Sequence, residues 1–361
     1  MHKIRTAALA FFTIVSLGAF GQSAPKYSNE FLSIGVGARA LGMSNAYITS
    51  ANDVTSGYWN PAGLLGIRNN LQVGLMHSEY FAGIAKYDYG AVATRLDSSS
   101  AMGFTLIRFA VDDIPNTTEL IDANGNVDYD RITSFSAADY AFLFSYAKKL
   151  KKEGLNVGGS VKIIRRKVGD FAGAWGFGLD AGIQYEKDKW KFAAMGRDVT
   201  STFNAWSFDL TDQMKDVFAV TGNEIPENSV EITLPKLLLG SARKFNLYRD
   251  KLNLLTELDF DLTFDGKRNV LIRSNAVSVD PHFGFELGYL DLIFLRGGIG
   301  NIQQSTDVIG RHITTWQPNL GVGLKLKSLS LDYALTDIGD RSVALYSNVF
   351  SLRLDINKKA K

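Results

Sequence analysis

Hydrophobic and polar positions alternate with a period of two along most of the chain from about residue 71 onward. The clearest example runs from Trp175 to Tyr185, where odd positions hold apolar or aromatic residues and even positions hold Gly, Asp or Gln. Alternate residues of a β-strand point to opposite faces of its sheet, so this period indicates strands rather than helices. Each predicted strand has one apolar face and one face of small or polar residues.

Fourteen segments of the chain carry this pattern. They cover residues 71–80, 84–96, 100–110, 132–148, 154–166, 174–187, 190–198, 230–244, 251–264, 282–290, 292–300, 318–327, 329–336 and 344–356. Short and long connectors alternate between these segments, and the long ones are 111–131, 199–229, 265–281 and 301–317. An outer-membrane barrel combines an even number of antiparallel strands with short turns at one end and longer loops at the other.

A soluble β-sandwich would also have alternating strands, but it does not require this rhythm of short and long connectors. The pattern therefore favours a surface that faces lipid and a polar lumen. We predict an all-β fold, a transmembrane up-and-down antiparallel β-barrel of 14 strands, over residues 71–361.

The first residues are organised like a secretory signal peptide. Lys3 and Arg5 precede an uncharged apolar stretch, and Ala19-Phe20-Gly21 has the small-x-small pattern of a cleavage site. A retained membrane anchor is the alternative, but the apolar stretch is shorter than a membrane-spanning helix needs to be. We predict a signal peptide over residues 1–21, followed by transit through the periplasm to the outer membrane.

Residues 22–70 lack sustained alternation and are rich in Gly and Ala. Within them, residues 57–63 read as a compact turn after a short helix, because a residue before proline favours extended or turn geometry. A barrel of this size encloses a lumen that can be filled by such a segment. We therefore predict that residues 22–70 form an N-terminal hatch, or plug, inside the barrel.

Composition excludes several classes of protein. The 361 residues include no Cys, so disulfides, thiol nucleophiles and Cys-ligated metals are ruled out. The chain has 39 Lys plus Arg against 37 Asp plus Glu, and this balance supplies no strongly basic surface for nucleic acid. A mean hydropathy of −0.02 is too low for a helical membrane protein, whereas in a barrel only alternate residues face lipid. The expected surroundings are outer-membrane lipid, with no nucleic-acid partner.

Catalytic signatures are missing from the sequence as well. It contains no GxSxG, P-loop or HExxH motif, and its four His residues are scattered along the chain. We therefore expect a protein that is not an enzyme, with no cofactor and no metal site.

Two N-terminal blocks resemble a known family. They are Ala38-Arg39-Ala40-Leu41-Gly42-Met43 and Tyr58-Trp59-Asn60-Pro61-Ala62-Gly63-Leu64. Both are similar to the opening of the PorV/PorQ family, which are outer-membrane barrels associated with the type IX secretion system of Bacteroidota and distantly similar to FadL-type fatty-acid transporters. A looser similarity extends through residues 86–90, 158–162 and 331–334.

The resemblance implies a barrel with an N-terminal hatch, in which Asn60-Pro61-Ala62 matches an element of the FadL-type hatch. It also implies a role in type IX protein secretion or gliding, with the translocon or the C-terminal sorting domains of secreted cargo as partners. The alternative is a FadL-like channel for hydrophobic small molecules. Inward-facing positions are mostly Gly, Ser, Asp, Glu and Lys, which favours the protein-handling role.

Two groups of residues are candidates for function. The first is the structural set of the hatch, Arg39 with Asn60, Pro61, Ala62 and Gly63. We expect Arg39 to pair with carboxylates on the polar face of the strands, which are Asp180, Glu186, Glu257, Asp259, Asp261 and Glu286. The second group lies in the 199–229 connector, where an apolar outer loop either docks a partner or packs on itself over the barrel mouth. It consists of Phe203, Trp206, Phe208 and Phe218.

Overall fold

The structure, a computed structural model, describes residues 28–120, 126–248, 251–306, 311–338 and 346–357. The signal peptide predicted for residues 1–21 lies outside the described residues. Within the described part of the chain, no helix is long and apolar enough to span a membrane.

The strands form one antiparallel sheet, which closes into a barrel because the first strand pairs with the last, from Leu71 opposite Ile356 to Glu79 opposite Asn348. In chain order the strands are β1 Leu71–Tyr80, β2 Ala85–Arg95, β3 Ser100–Asn116, β4 Thr133–Lys149, β5 Leu155–Val168, β6 Ala172–Lys187, β7 Trp190–Arg197 with Thr202–Phe208, β8 Ser229–Thr233 with Lys236–Asn246, β9 Leu252–Thr263, β10 Ser278–Tyr289, β11 Ile293–Thr306, β12 His312–Leu326, β13 Leu329–Thr336 and β14 Ser347–Ile356. The predicted closed barrel of 14 antiparallel strands is confirmed.

Side chains alternate across the wall as the period of two predicts. On β1 the outward Leu75 is 53% exposed, whereas the inward Met76 beside it is 4% exposed. On β4 the outward Phe144 is 52% exposed and the inward Ser145 is 4% exposed. The barrel therefore has an apolar outer surface, and its inner face is covered by other parts of the chain.

Two neighbouring strands are interrupted at the same height. In β7 the break covers residues 198–201, where Asp198 and Ser201 both have a φ of 55°. In β8 it falls at Leu234 and Pro235, since proline has no N–H to donate to a neighbouring strand. Beyond the break, β7 pairs again with β6, with Phe203 opposite Phe177. The prediction that residues 199–229 form a loop is therefore wrong for residues 202–208, which belong to a strand.

The strands also extend into the other connectors that the pattern predicts to be long. β3 continues to Asn116, β11 continues to Thr306 and β12 begins at His312, while Ile272–Arg273 adds a short bridge beside β10. These outer ends have polar residues on both faces, so the alternation that marks a half-apolar strand fades before the hydrogen-bonded ladder ends. Of the 199–229 connector, residues 212–220 form a helix, α3 Asp212–Val220, which Thr211 caps.

The N-terminal segment, defined here as residues 28–70, lies inside the barrel. It contains the 3-10 helices Glu30–Leu32 and Pro61–Gly66 and the short helices α1 Ala38–Leu41 and α2 Ser56–Trp59. The stretch predicted as a compact turn, residues 57–63, is therefore made of two short helices joined at Asn60, whose backbone is extended. Many of its large side chains are almost completely buried, as for Tyr47 at 1% and Trp59 at 2% exposure.

Glycines on the inner face of the wall allow the N-terminal segment to approach the strands closely. A Cβ atom on Gly158 of β5 would lie 2.5 Å from the backbone nitrogen of Ala62, and one on Gly182 of β6 would lie 2.1 Å from Oδ1 of Asn60. Real Cβ atoms essentially never come within such distances. The wall therefore meets the Ala62 backbone directly at Gly158 and the Asn60 side chain directly at Gly182.

Gly158→Ala tests this close packing. We expect it to destabilise the protein by about 1–3 kcal/mol, because the added methyl group must displace the Ala62 backbone. The readout is the temperature at which the barrel loses its heat-modifiable mobility in gel electrophoresis. Gly90→Ala is the matched control, since its Cβ would have its nearest contact at 3.7 Å, with Leu75. Equal transition temperatures for the two variants would contradict the proposed packing.

Candidate functional site

Arg39 joins the N-terminal segment to the wall through a chain of ion pairs. Its Nε and Nη2 donate to the two carboxylate oxygens of Glu286 on β10, each at 2.7 Å. Arg296 on β11 donates to the same carboxylate at 2.6 Å and to Asp332 on β13 at 2.7 Å. Glu286 is one of the carboxylates expected to face the lumen. Because Arg39 binds both carboxylate oxygens of Glu286, its guanidinium is fixed in orientation as well as in position.

Two carboxylates of β9 bind four consecutive backbone N–H groups of the segment. Asp259 accepts from Tyr47 at 2.7 Å and from Ile48 at 3.1 Å. Glu257 accepts from the next two, at 2.7 Å from residue 49 and at 3.1 Å from residue 50. Residues two apart on a strand face the same side, so the pair projects together into the lumen.

A third anchor lies at Asp53. Its carboxylate accepts from Arg353 of β14 at 2.7 Å, and the adjacent Val54 N–H donates to Gln72 of β1 at 2.6 Å. Burial on its own would raise the pKa of Asp53, but the charges of Arg353 and Arg39 outweigh it and leave that pKa below its ordinary value. Asp53 is therefore held in its charged form.

The remaining residues of the predicted hatch set lie against β5 and β6. The Asn60 side chain accepts from the Ala62 N–H at 3.2 Å, which caps the 3-10 helix that begins at Pro61, and its Nδ2 donates to the Ile183 carbonyl at 3.2 Å. Gly63 packs against the Ala51 carbonyl, where a Cβ would lie only 2.2 Å away. Arg39 is thus bound at β10, on another part of the wall.

A central cavity of about 610 Å³ lies in the lumen beside the N-terminal segment. Tyr58 and Trp59 of the segment form part of its lining. Its walls carry many charged and polar side chains, among them Arg197, Lys236, Asp261, Arg268, Asp280 and His282. Among the described residues, no group of three or more His, Asp or Glu side chains is placed to hold a metal ion.

A second cavity, the rim cavity, has a volume of about 700 Å³ and lies where the ends of β3–β8 meet α3. Its described lining consists of Pro115, Asn116, Thr117, Thr118, Phe135, Val168, Phe171, Ala172, Trp206, Phe208, Leu210, Met214, Phe218, Pro226, Ser229 and Glu231. Met214 and Phe218 are four residues apart and so share one face of α3. Most of this lining is apolar or aromatic, unlike that of the central cavity.

One side of the rim cavity carries a polar cluster. Trp206 Nε1 donates to Glu231 Oε2 at 2.8 Å, and Arg166 Nη1 donates to the same oxygen at 3.3 Å. Arg166 also binds both oxygens of Asp139, at 2.8 and 3.1 Å, and lies over the Trp206 ring at 5.0 Å from its centroid. The cluster therefore contains two carboxylates and one guanidinium.

Known proteins resemble this chain in structure rather than in sequence. No family model matches the sequence, and no curated protein matches it either. The CymD monoaromatic hydrocarbon channel aligns with a TM-score of 0.56 at 12% identity, over 91% of this chain and 99% of that one. The toluene transporter TodX of Pseudomonas putida aligns at 0.56 and 13%, over 89% and 98% of the two chains. A FadL homologue of Pseudomonas aeruginosa aligns at 0.50 and 12%, over 89% and 98%.

The chain therefore shares the barrel fold of these three proteins. The four aromatic residues singled out from the sequence divide into two groups within it. Trp206, Phe208 and Phe218 line the rim cavity, whereas Phe203 faces outward and packs beside Phe177, with ring centroids 6.5 Å apart.

Sequence reasoning missed the polar cluster and the other aromatic residues of the rim cavity. Arg166, Glu231, Phe135 and Phe171 lie on different strands or strand ends, and only the register between strands brings them together. Trp206 carried the one available signal, because a buried indole N–H needs an acceptor nearby.

Arg39→Glu tests the first anchor. We expect it to destabilise the seated N-terminal segment by about 3–5 kcal/mol, because Glu286 would face a carboxylate in a buried site. Faster proteolysis within residues 28–70 and a lower heat-modification temperature are the expected readouts. Arg131→Glu makes the same charge change in a half-exposed pair with Asp128 and should have little effect. If the two variants behave alike, the ion-pair chain does not hold the segment.

Proposed function

We propose that this chain is a non-enzymatic outer-membrane barrel that takes up small apolar molecules, with the rim cavity as the site of first capture. The rim cavity is the observation that carries the proposal. It is concave, mostly apolar and large enough for one ligand, which are the usual properties of a small-molecule site. CymD and TodX, described as a hydrocarbon channel and a toluene transporter, lend support through their shared fold.

The N-terminal segment would act as the hatch of this channel. Its anchors on β1, β9, β10 and β14 hold it across the lumen, so passage requires part of it to move. Residues 28–70 contain short helices and turns with no strand, and such a segment can shift locally without breaking the sheet of the barrel. The predicted division into signal peptide, hatch and barrel belongs to this proposal.

A second candidate is the role in type IX secretion or gliding that the two N-terminal blocks imply. Those blocks supply Arg39 and the Asn60-Pro61-Ala62 turn, which are buried in the contacts described above. A segment anchored so extensively also suits a barrel that stays closed and presents its wall or loops to a translocon or a cargo domain. The aromatic residues of the rim cavity could dock a partner in that role, but their concave arrangement suits a small molecule better, and the small-molecule proposal is therefore placed first.

Comparison of a deletion strain with its parent separates the two functions. The uptake proposal predicts slower entry of a labelled apolar alcohol, 4-propylbenzyl alcohol, at low concentration with an unchanged set of secreted proteins. The secretion proposal predicts the opposite pair of results. Normal uptake with a depleted secreted proteome would therefore reverse the order of the two candidates.

Complementation with point variants connects uptake to the rim cavity. We expect Phe208→Ala to lower the initial uptake rate by roughly five- to tenfold, since truncating an aromatic residue that contacts a ligand typically costs more than 1 kcal/mol. Trp316→Ala is the matched control, because Trp316 is 56% exposed on β12 and lies outside the rim cavity. Equal uptake by the two variants, at equal amounts of folded barrel, would show that the rim cavity does not contribute to uptake.

A further inference from the structure

We propose that the rim cavity selects uncharged apolar molecules that carry a hydrogen-bond donor, and that it excludes carboxylates such as fatty acids. This inference rests on the proposed function, because it names the substrate class of the same site. It is carried by the charges in and beside the cavity and by the hydrogen bonds already made there.

The lining offers nothing to neutralise an anion. Among its described residues none is Lys, Arg or His, and the one charged side chain is Glu231. A carboxylate that entered would lose its hydration without gaining a cationic partner. It would also approach a like charge, which costs further free energy.

Arg166 lies beside the cavity, and three of its five N–H donors are already engaged by carboxylates. Its guanidinium binds both oxygens of Asp139, donates a third hydrogen bond to Glu231 and covers the Trp206 ring. Its positive charge is therefore shared between two carboxylates, those of Asp139 and Glu231. The cluster of Arg166, Asp139 and Glu231 then carries one surplus negative charge, which opposes an anionic ligand.

The same cluster is suited to a donor. Trp206 and Arg166 both bind Oε2 of Glu231, and no described residue donates to Oε1. A hydroxyl or amine on a ligand could donate to that oxygen. Around it, Phe135 and Phe171 meet edge to face at 5.0 Å, and Trp206 and Phe208 lie nearly parallel at 6.1 Å. These rings would pack against an aromatic or alkyl body.

The central cavity differs in this respect. Arg197, Lys236 and Arg268 are among its lining residues, so an anion would find cations there. A site for carboxylate uptake would place such residues at the point of first contact. In this barrel the proposed site of first contact is the rim cavity, whose lining is apolar with one carboxylate. Discrimination against carboxylates would therefore take place before a molecule reaches the lumen.

The test uses the purified full-length mature barrel in detergent and two probes with one body, 4-propylbenzyl alcohol and 4-propylbenzoate. Binding is measured at pH 7.5 by calorimetry, with the heat of partition into empty micelles subtracted. We expect the alcohol to bind at least about tenfold more tightly than the carboxylate, since an unpaired buried charge is costly. Glu231→Gln should narrow that ratio by strengthening carboxylate binding, because Gln still accepts from Trp206 without the negative charge.

Controls distinguish the ways in which the idea can fail. Glu186→Gln removes an exposed carboxylate that pairs with Lys191 outside the cavity, and it should leave the ratio unchanged. Equal binding of the two probes to the unmodified barrel, or tighter binding of the carboxylate, would overturn the charge selection and leave capture itself intact. Binding of neither probe would overturn the proposed function, and this inference with it. Heat-modifiable migration of each variant confirms that the barrel is folded.

Discussion

The N-terminal segment runs through the barrel with little regular secondary structure, and the rest of the structure depends on how its backbone groups find hydrogen-bond partners. A buried N–H or C=O without a partner costs free energy, and inside the barrel the partners must come from the wall. Glu257 and Asp259 accept four amides in a row, and Gln184 donates from the opposite side to the carbonyls of residues 48, 49 and 51. The polar character of the lumen follows from this requirement.

This requirement changes what the polar inner face says about function. In the sequence alone, Asp, Glu and Lys at inward-facing positions count against a channel for apolar molecules. In the structure many of them serve the N-terminal segment or one another, as Lys162 does between Asp180 and Asp198. Their presence therefore does not oppose uptake of apolar molecules. The apolar surface that a ligand could use lies at the rim, where the segment is absent from the described lining.

The strand pattern could be predicted from the sequence because each strand has one apolar face, and such a face leaves a period of two. Contacts between distant parts of the chain could not be predicted in the same way. Arg39 and Glu286 are 247 residues apart, and only the closure of the barrel brings β10 to the segment. Arg39 could be expected to have a carboxylate partner, but nothing local distinguishes Glu286 from the other inward carboxylates. The glycines at positions 158 and 182 indicated a strand face of small residues, but they did not indicate which part of the chain packs against that face.

The break in β7 determines which residues line the rim cavity. Before the break, Trp190 and Phe192 face outward, so the even-numbered residues lie on the outside. After it, Phe203 is outward and Trp206 and Phe208 face the cavity. In an uninterrupted strand, positions 206 and 208 would face outward, away from the cavity. The lining of the rim cavity is therefore encoded as much by the break between two strand segments as by the aromatic residues themselves.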